Sequence, residues 1–387
     1  MAGSPKARRR APAAFSRKII HMKPFVQFCR RNTVLLVAFA AAVITSFLVP
    51  PDREYLGYFD LKTLSCLFCV LAVVCALKNI HFFYVLAERI VERFRNLRFA
   101  VLALVYITFI GSMLIANDMA LLTFLPLGYF VLYTTGKQKH MAYVFILQNI
   151  AANLGGMLTP FGNPQNLYLY TKFSIPTPEF MGIMLRPFLI AVALITVCCL
   201  LLPKEPLSID SRPLELNKKR TALYLALFVL AIAIVFRGIP YWIGLIVIPA
   251  VLIFADRSAL AAVDYGLLLT FTCFFVFAGN MSRIPAVVSL LGGLMERNTL
   301  LFSVLSCQCI SNVPSAILLS RFTANYPDLL LGVNIGGTGT LIASLASLIT
   351  FREYSKRNPG HVWSYLGLFT LLNFGFLIIL TAVEMIF

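Results

Sequence analysis

The chain has 387 residues, 59% of them hydrophobic and only 13% charged, with a mean hydropathy of +0.84 and a formal net charge of +17. Soluble domains carry about 25% charged residues, so a soluble fold is excluded. Apolar runs of roughly 20 residues without strand-like alternation exclude a β-barrel and require helices, because lipid offers the backbone no hydrogen-bond partner.

Residues 1–32 form a basic tail, SPKARRRAPAAFSRKIIHMKPFVQFCRR after the first few residues, with no acidic group. Its charge fits a cytoplasmic segment under the positive-inside rule. The apolar run behind it ends in LVPPDRE without a small-x-small cleavage site, so an uncleaved first helix is expected. Spans are predicted at 33–50, 61–77, 141–170, 179–203, 221–236, 240–255, 264–279, 329–350 and 361–386. Residues 80–97 read as an amphipathic, basic interfacial helix. Two further segments, 99–134 and 299–321, are interrupted in the middle by IANDMALL (115–122) and CISNVPSA (309–316).

Loop charge sets the topology. PDREYLGYFD and TKFSIPTPEF are nearly neutral, whereas ERIVERFRNLR, GKQKH, KEPLSIDSRPLELNKKR and FREYSKRNPGH are basic. Both flanks of 99–134 are basic, so that segment is expected to enter and leave on one face as a re-entrant hairpin tipped near 117. A second hairpin, tipped near 312 and entered from the other side, reconciles the remaining loops. The scheme places the N-terminus in the cytoplasm and the C-terminus outside, in a multi-pass protein of a bacterial-type inner cell membrane.

The halves also resemble each other. NLGGMLTPFGNPQNLYLY from Asn153 aligns without gaps on NIGGTGTLIASLASLITF from Asn334, pairing Gly155–Gly156 with Gly336–Gly337 and Asn163 with Ser344. Upstream, Ala116-Asn117-Asp118 parallels Ser311-Asn312-Val313, and ALKN…FRN parallels FAGN…ERN. The expected fold is therefore an all-α polytopic membrane protein with an inverted repeat, two opposed re-entrant hairpins and two broken transmembrane helices. Its parts are the tail 1–32, a first repeat 33–203 with its broken helix at 141–170, a cytoplasmic linker 204–220, and a second repeat 221–387 with its broken helix at 329–350. Inverted repeats with discontinuous helices mark secondary transporters. At such breaks free carbonyls hold cations and half-helix N-termini face anions.

Asp118 is the one ionisable residue expected deep in the bilayer, where an acid is a functional candidate. It is read as a cation ligand, as a proton carrier, or as an N-cap of the following helix. Asp264 and Glu384 fall near span ends as interfacial anchors. No Arg, Lys or His falls in the deep site, so an anion there would rest on amides, hydroxyls and helix ends. Arg283 and Arg321 lie nearer the outer surface. Cys66 and Cys69 have metal-ligand spacing but lack a partner pair, and His21, His81, His140 and His361 form no catalytic motif. The nine cysteines are expected to pack in the membrane core. Neither an enzyme, a resident cofactor nor a nucleic-acid partner is expected.

IANDMALLTFLPL, NIAANLGGMLTPFGNPQNL, CISNVPSAILL and GVNIGGTGTLIASLASLI resemble signature segments of the citrate-transporter-like ion transporter superfamily. That group includes divalent anion–sodium symporters, citrate permeases and arsenite permeases. The resemblance implies alternating-access transport of a small anion, coupled to sodium or protons, by a homodimer in the lipid bilayer with elevator-like movement. It implies substrate contacts at Asn117, Asn163, Pro164, Asn312, Val313 and Asn334. It implies coupling-ion contacts at Asp118, Asn153, Gly155, Gly162, Asn166, Ser311, Gly336 and Ser344. The symporters carry Ser-Asn-Thr at both tips. Here both asparagines are present and both threonines are replaced, by Asp118 and Val313, which resembles the arsenite-permease and antiporter branches. The leading expectation is a di- or tricarboxylate such as citrate or succinate, with arsenite efflux or sodium/proton antiport as the alternative.

Overall fold

The computed structural model describes residues 33–91, 93–207 and 216–386. The basic tail, residue 92, the linker residues 208–215 and residue 387 lie outside it. Among the described residues the regular structure is helical, with one isolated antiparallel bridge between Asn96 and Pro206.

The helices follow the apolar runs. They are α1 (Thr33–Leu48), α2 (Leu61–Asn79), the short amphipathic α3 (Phe82–Val91), α4 (Leu97–Ile115), α5 (Asn117–Thr134), α6 (Met141–Gly155), α7 (Pro164–Lys172) and α8 (Thr177–Leu200). Then come α9 (Lys218–Val235), α10 (Tyr241–Ala255), α11 (Arg257–Ala261), α12 (Tyr265–Met281), α13 (Pro285–Ile310), α14 (Asn312–Leu319), α15 (Tyr326–Ile335), α16 (Leu345–Arg357) and α17 (Val362–Ile386). Six helices among the described residues are long and apolar enough to cross a membrane, namely α2, α4, α8, α13 and those around α6 and α17. The chain forms a multi-pass membrane protein.

Local chemistry sets the helix limits. Asn96 Oδ1 accepts from Phe99 N at 3.0 Å and starts α4. Asn298 does the same inside α13, accepting from Leu301 N at 2.7 Å with non-helical φ −165° and ψ 95°. A free side-chain acceptor at that point turns one long apolar helix into two differently directed pieces. The sequence places a boundary there through the FRN and ERN pair. The start of α4 is further held by Leu97 N donating to Glu205 O and Leu207 N to Arg95 O.

Packing divides the helices by depth. Residues 144–157, 164–170 and 329–339 are buried without interruption, so the two interrupted helices form the centre. The arms α4 and α5 pack on each other and on α6; α13 and α14 pack on each other and on α15. Each outgoing arm also crosses to the other half, α5 onto α16 and α14 onto α7. Around them, α1 lies along α12, and α2 lies against α9 and α10.

The loops collect at two ends with different charge. At one, which we call the balanced end, Arg283 pairs with Asp52 and Glu54, Arg237 donates to Ser174 O, and Tyr326 bonds Glu179. At the other, the basic end, Lys137 and Lys139 pair with Glu205, Asn79 bonds Asp256, and Asn358 meets Met141. Lys78, Arg89, Arg98, Arg257 and Lys356 belong to loops and helix ends on the basic side.

Candidate functional site

Two tips and two helix breaks meet in the centre. At each tip one residue joins the helices, Ala116 with φ 64° and ψ 151°, and Ser311 with φ 76° and ψ 158°. Positive φ is costly for residues with a Cβ, of order 1–3 kcal/mol, and such strain concentrates at functional sites. The next residue is asparagine in both cases. Asn117 Oδ1 accepts from Asp118 N and Asn312 Oδ1 from Val313 N, each at 2.9 Å. Thus the two tips share one construction, and each amide NH2 is left to point elsewhere. Asn117 Nδ2 reaches Asn153 Oδ1 at 3.2 Å. At the second tip the backbone makes the link, Asn312 N to Ala343 O at 2.9 Å, with Ser311 Oγ on the same oxygen at 3.2 Å.

The breaks also correspond. The chain leaves helical geometry after Gly155 and re-enters it behind Asn163, whose φ −137° and ψ 144° match Ser344 at φ −146° and ψ 150°. Pro164 occupies the first helical position, where a missing N–H costs nothing. Gly162 is required by close approach, since a Cβ there would sit 2.3 Å from Gly156 O. Gly155 lets α6 lie against α4, because its Cβ would meet Phe109 O at 2.2 Å.

Each break is laced by one amide. Asn166 Nδ2 faces the carbonyls of Gly156, Met157 and Thr159 at 3.1–3.3 Å. Gln308, on the incoming arm, donates to Gly336 O at 2.9 Å and Thr338 O at 3.1 Å, while its Oε1 accepts from Thr340 N at 2.9 Å. Unwound backbone buried in an apolar bundle needs such partners.

Asn334 joins the halves. Its Nδ2 donates to Leu330 O at 2.8 Å and Asn166 Oδ1 at 2.6 Å, and its Oδ1 accepts from Asn163 and Gln165, both at 3.4 Å. Backbone carbonyls can only accept, so Asn166 and Asn334 are fixed in orientation, and the orientations of Asn163 and Gln165 follow. That leaves Asn163 Oδ1 and Gln165 Oε1 buried with no donor, along with Asn149 Oδ1, while Asn153 Nδ2 is buried with no acceptor. A second bridge, Asn149 Nδ2 to Ser347 Oγ at 3.2 Å, ties α6 to the half-helix that Ser344 caps.

The network brings together Asn117, Asn153, Asn163, Asn166, Asn334 and the Gly155–Gly162 turn. Ser311, Asn312, Gly336 and Ser344 surround the second break, with Gly337 packed on Asn312. Val313 follows the second tip, and its backbone N–H is taken by Asn312. Asp118 stands in the first turn of α5 with Oδ1 buried and unpartnered, and it makes no hydrogen bond to the first break. Asn334 is committed at both ends of its amide to other protein groups. Sequence reasoning missed Gln165, Asn149 and Gln308. A glutamine or asparagine within an apolar run is itself a signal, since its amide must find a partner in the protein. The network contains only amides, hydroxyls and backbone groups, and among the described residues no cluster of three or more His, Cys, Asp or Glu could hold a metal. Glu384, near the end of α17, lies 3.6 Å from Arg186 with its side chain almost fully buried.

An apolar helix bundle whose centre is an amide network between two helix breaks has the architecture of a membrane transporter. The chain belongs to the citrate transporter family, whose model matches residues 19–328. It is 32% identical over 305 residues to an uncharacterized transporter of Methanocaldococcus jannaschii, covering 77% of this chain and 82% of that one. It is 26% identical over 364 residues to inner membrane protein YbiR of Escherichia coli, covering 90% and 94%. A shorter match, 30% over 159 residues, aligns 41% of this chain with 32% of a silicon efflux transporter of rice, Oryza sativa subsp. japonica. Family and relatives identify a transporter rather than an enzyme.

Proposed function

We propose that this protein is an ion-coupled secondary active transporter of a small anion, with a di- or tricarboxylate such as citrate or succinate as substrate, working by alternating access. The observation that carries the reading is the single polar network running from the Asn117 tip through Asn153 and Asn163 to Asn334 of the opposite half. In this reading the two interrupted helix pairs are opposed re-entrant hairpins of an inverted repeat. The reciprocal crossing of α5 onto α16 and α14 onto α7 supports that arrangement. The excess of Lys and Arg at the basic end supports placing that end, and the N-terminus, in the cytoplasm of a cell with a bacterial-type inner membrane.

Substrate binds between the tips, against Asn117, Asn312, Val313 and the half-helix start at Asn163–Pro164. The coupling ion is sodium or a proton. The donor-free Asn163 Oδ1 and Gln165 Oε1 are suited to a cation, as hard cations take oxygen ligands. Asn153, Gly155, Gly162, Asn166, Ser311, Gly336 and Ser344 shape the two coupling positions, and Asp118 carries a proton or completes a cation site. The working unit is a homodimer.

A second reading, an inorganic-ion permease working by efflux or antiport, is favoured by Asp118 and Val313 standing where the symporters have threonine. The rice relative, a silicon efflux transporter, handles an inorganic solute by efflux.

The test is uptake of citrate and succinate into proteoliposomes under an imposed sodium or proton gradient. Accumulation in wild type and its loss in Asn117→Ala, with normal folding by thermal melting, is expected. No carboxylate uptake under either gradient, alongside proton or oxyanion exchange, would move the assignment to the second reading.

A further inference from the structure

A second polar cavity lies apart from the deep network. It has a volume of about 400 Å³, is found at the balanced end, and is lined by residues 57–62, the last turn of α7 and Arg321 behind α14. Three cations line it, Lys62 from α2, Lys172 from α7, and Arg321. The one carboxylate in the lining, Asp60, is engaged by Thr63, with Oδ1 accepting from Thr63 N at 2.9 Å and Oδ2 from Thr63 Oγ1 at 2.6 Å. Arg321 is anchored by Nη2 on Tyr58 O at 3.1 Å, and its Nε is buried with no partner. No ion pair to Lys62 or Lys172 is found among the described residues; Lys172 lies 5.9 Å from the Phe173 ring centre.

At the end of α7, Arg237 donates to Tyr170 O at 2.6 Å and, just beyond the helix, to Ser174 O at 3.2 Å. The hydroxyls of Thr171 and Ser174 add polar lining. Three cations against the single Asp60 carboxylate leave the lining net positive, and a concavity of one net sign focuses the field on an anion. Three cations on separate walls suit a ligand with at least two anionic oxygens rather than a monovalent ion.

We propose that this cavity is a peripheral anion site for a multivalent oxyanion, either a free di- or tricarboxylate or phosphate, or the phosphate head of an anionic lipid. It lies one half-helix away from the deep site. The nine residues from Pro164 to Lys172 rise about 13 Å at 1.5 Å each. The charge that the deep network lacks is concentrated here, where it draws anions toward the mouth of the bundle. The site does not depend on which substrate the deep network carries.

Isothermal titration of the full chain in neutral detergent, with citrate and with inorganic phosphate, tests it. Binding should weaken steeply with salt and drop about tenfold in Lys62→Gln and in Lys172→Gln, the usual scale for one charge-assisted contact. It should persist in Asn117→Ala. Repeating the titration in phosphatidylcholine nanodiscs with and without phosphatidylglycerol separates the two sources. Lipid competition that disappears in the lysine variants assigns the site to a headgroup, and no competition assigns it to a free anion. Unchanged anion affinity in both lysine variants, or no binding of either anion and no lipid effect in wild type, overturns the proposal. Lysine-dependent binding without carboxylate transport would refute the proposed function and leave this site standing.

Discussion

Asn334 shows how one side chain can hold two halves of a chain together. Four hydrogen bonds leave its amide, one to its own helix and three to the first break. Asn334→Leu would take the acceptor from Asn163 and Gln165 and the donor from Asn166, in a place water does not replace them. A buried polar group left unpaired costs about 1–3 kcal/mol, so we expect a fall in melting temperature together with loss of transport. A variant as stable as wild type would mean the three amides find other partners. The sequence alignment singled out Asn334 as the counterpart of Asn153. It did not reveal that Asn334 bonds Asn163, Gln165 and Asn166, because that contact depends on how two distant segments cross.

The helical elements themselves were largely legible. Predicted spans at 33–50, 61–77 and 240–255 end within two residues of α1, α2 and α10, since an apolar run in lipid has no alternative to a helix. The tips and breaks were legible as well, because asparagine, glycine and proline interrupt a helix through local geometry alone. The segment expected from 299 starts where the structure breaks Pro285–Ile310 into two pieces, at Asn298, whose non-helical backbone and side-chain cap on Leu301 N are local features of the sequence. A less visible element is the clip of residues 205–207 on the start of α4. Hydrogen bonds from Lys137 and Lys139 hold the Glu205 carboxyl well down, at about 2, against an ordinary value of 4.5. A depressed carboxylate stabilises the fold fully above the unfolded value and loses that contribution as pH falls toward the folded one. Melting of Glu205→Gln beside wild type should therefore show a gap at neutral pH that narrows from pH 4.5 downward, and that also shrinks in high salt because the pair is exposed. A gap constant across that range would show that the side chain does not act through its charge.

At the scale of the whole molecule, the reciprocal contacts of α5 with α16 and α14 with α7 make each hairpin arm part of the other half's environment. The proposed orientation puts the end of α17 on the face opposite the basic loops. Alkaline phosphatase fused behind α17 should then be active in a bacterial host, and a fluorescent protein at the same place dark. The reverse result would invert the topology, and with it the side from which the lysine-lined cavity is reached. The sequence alone determined that this chain is a helical membrane protein whose apolar runs are interrupted near 117, 156–163, 312 and 336–344, because burial in lipid and helix breaking are read from neighbouring residues. Only the tertiary structure decided that Asn334 clamps the first break, that Gln308 laces the second, and that Lys62, Lys172 and Arg321 share a cavity. Those residues are far apart in the chain, and a hydrogen bond or a shared electrostatic field acts through space, so its partners exist only once the helices have packed.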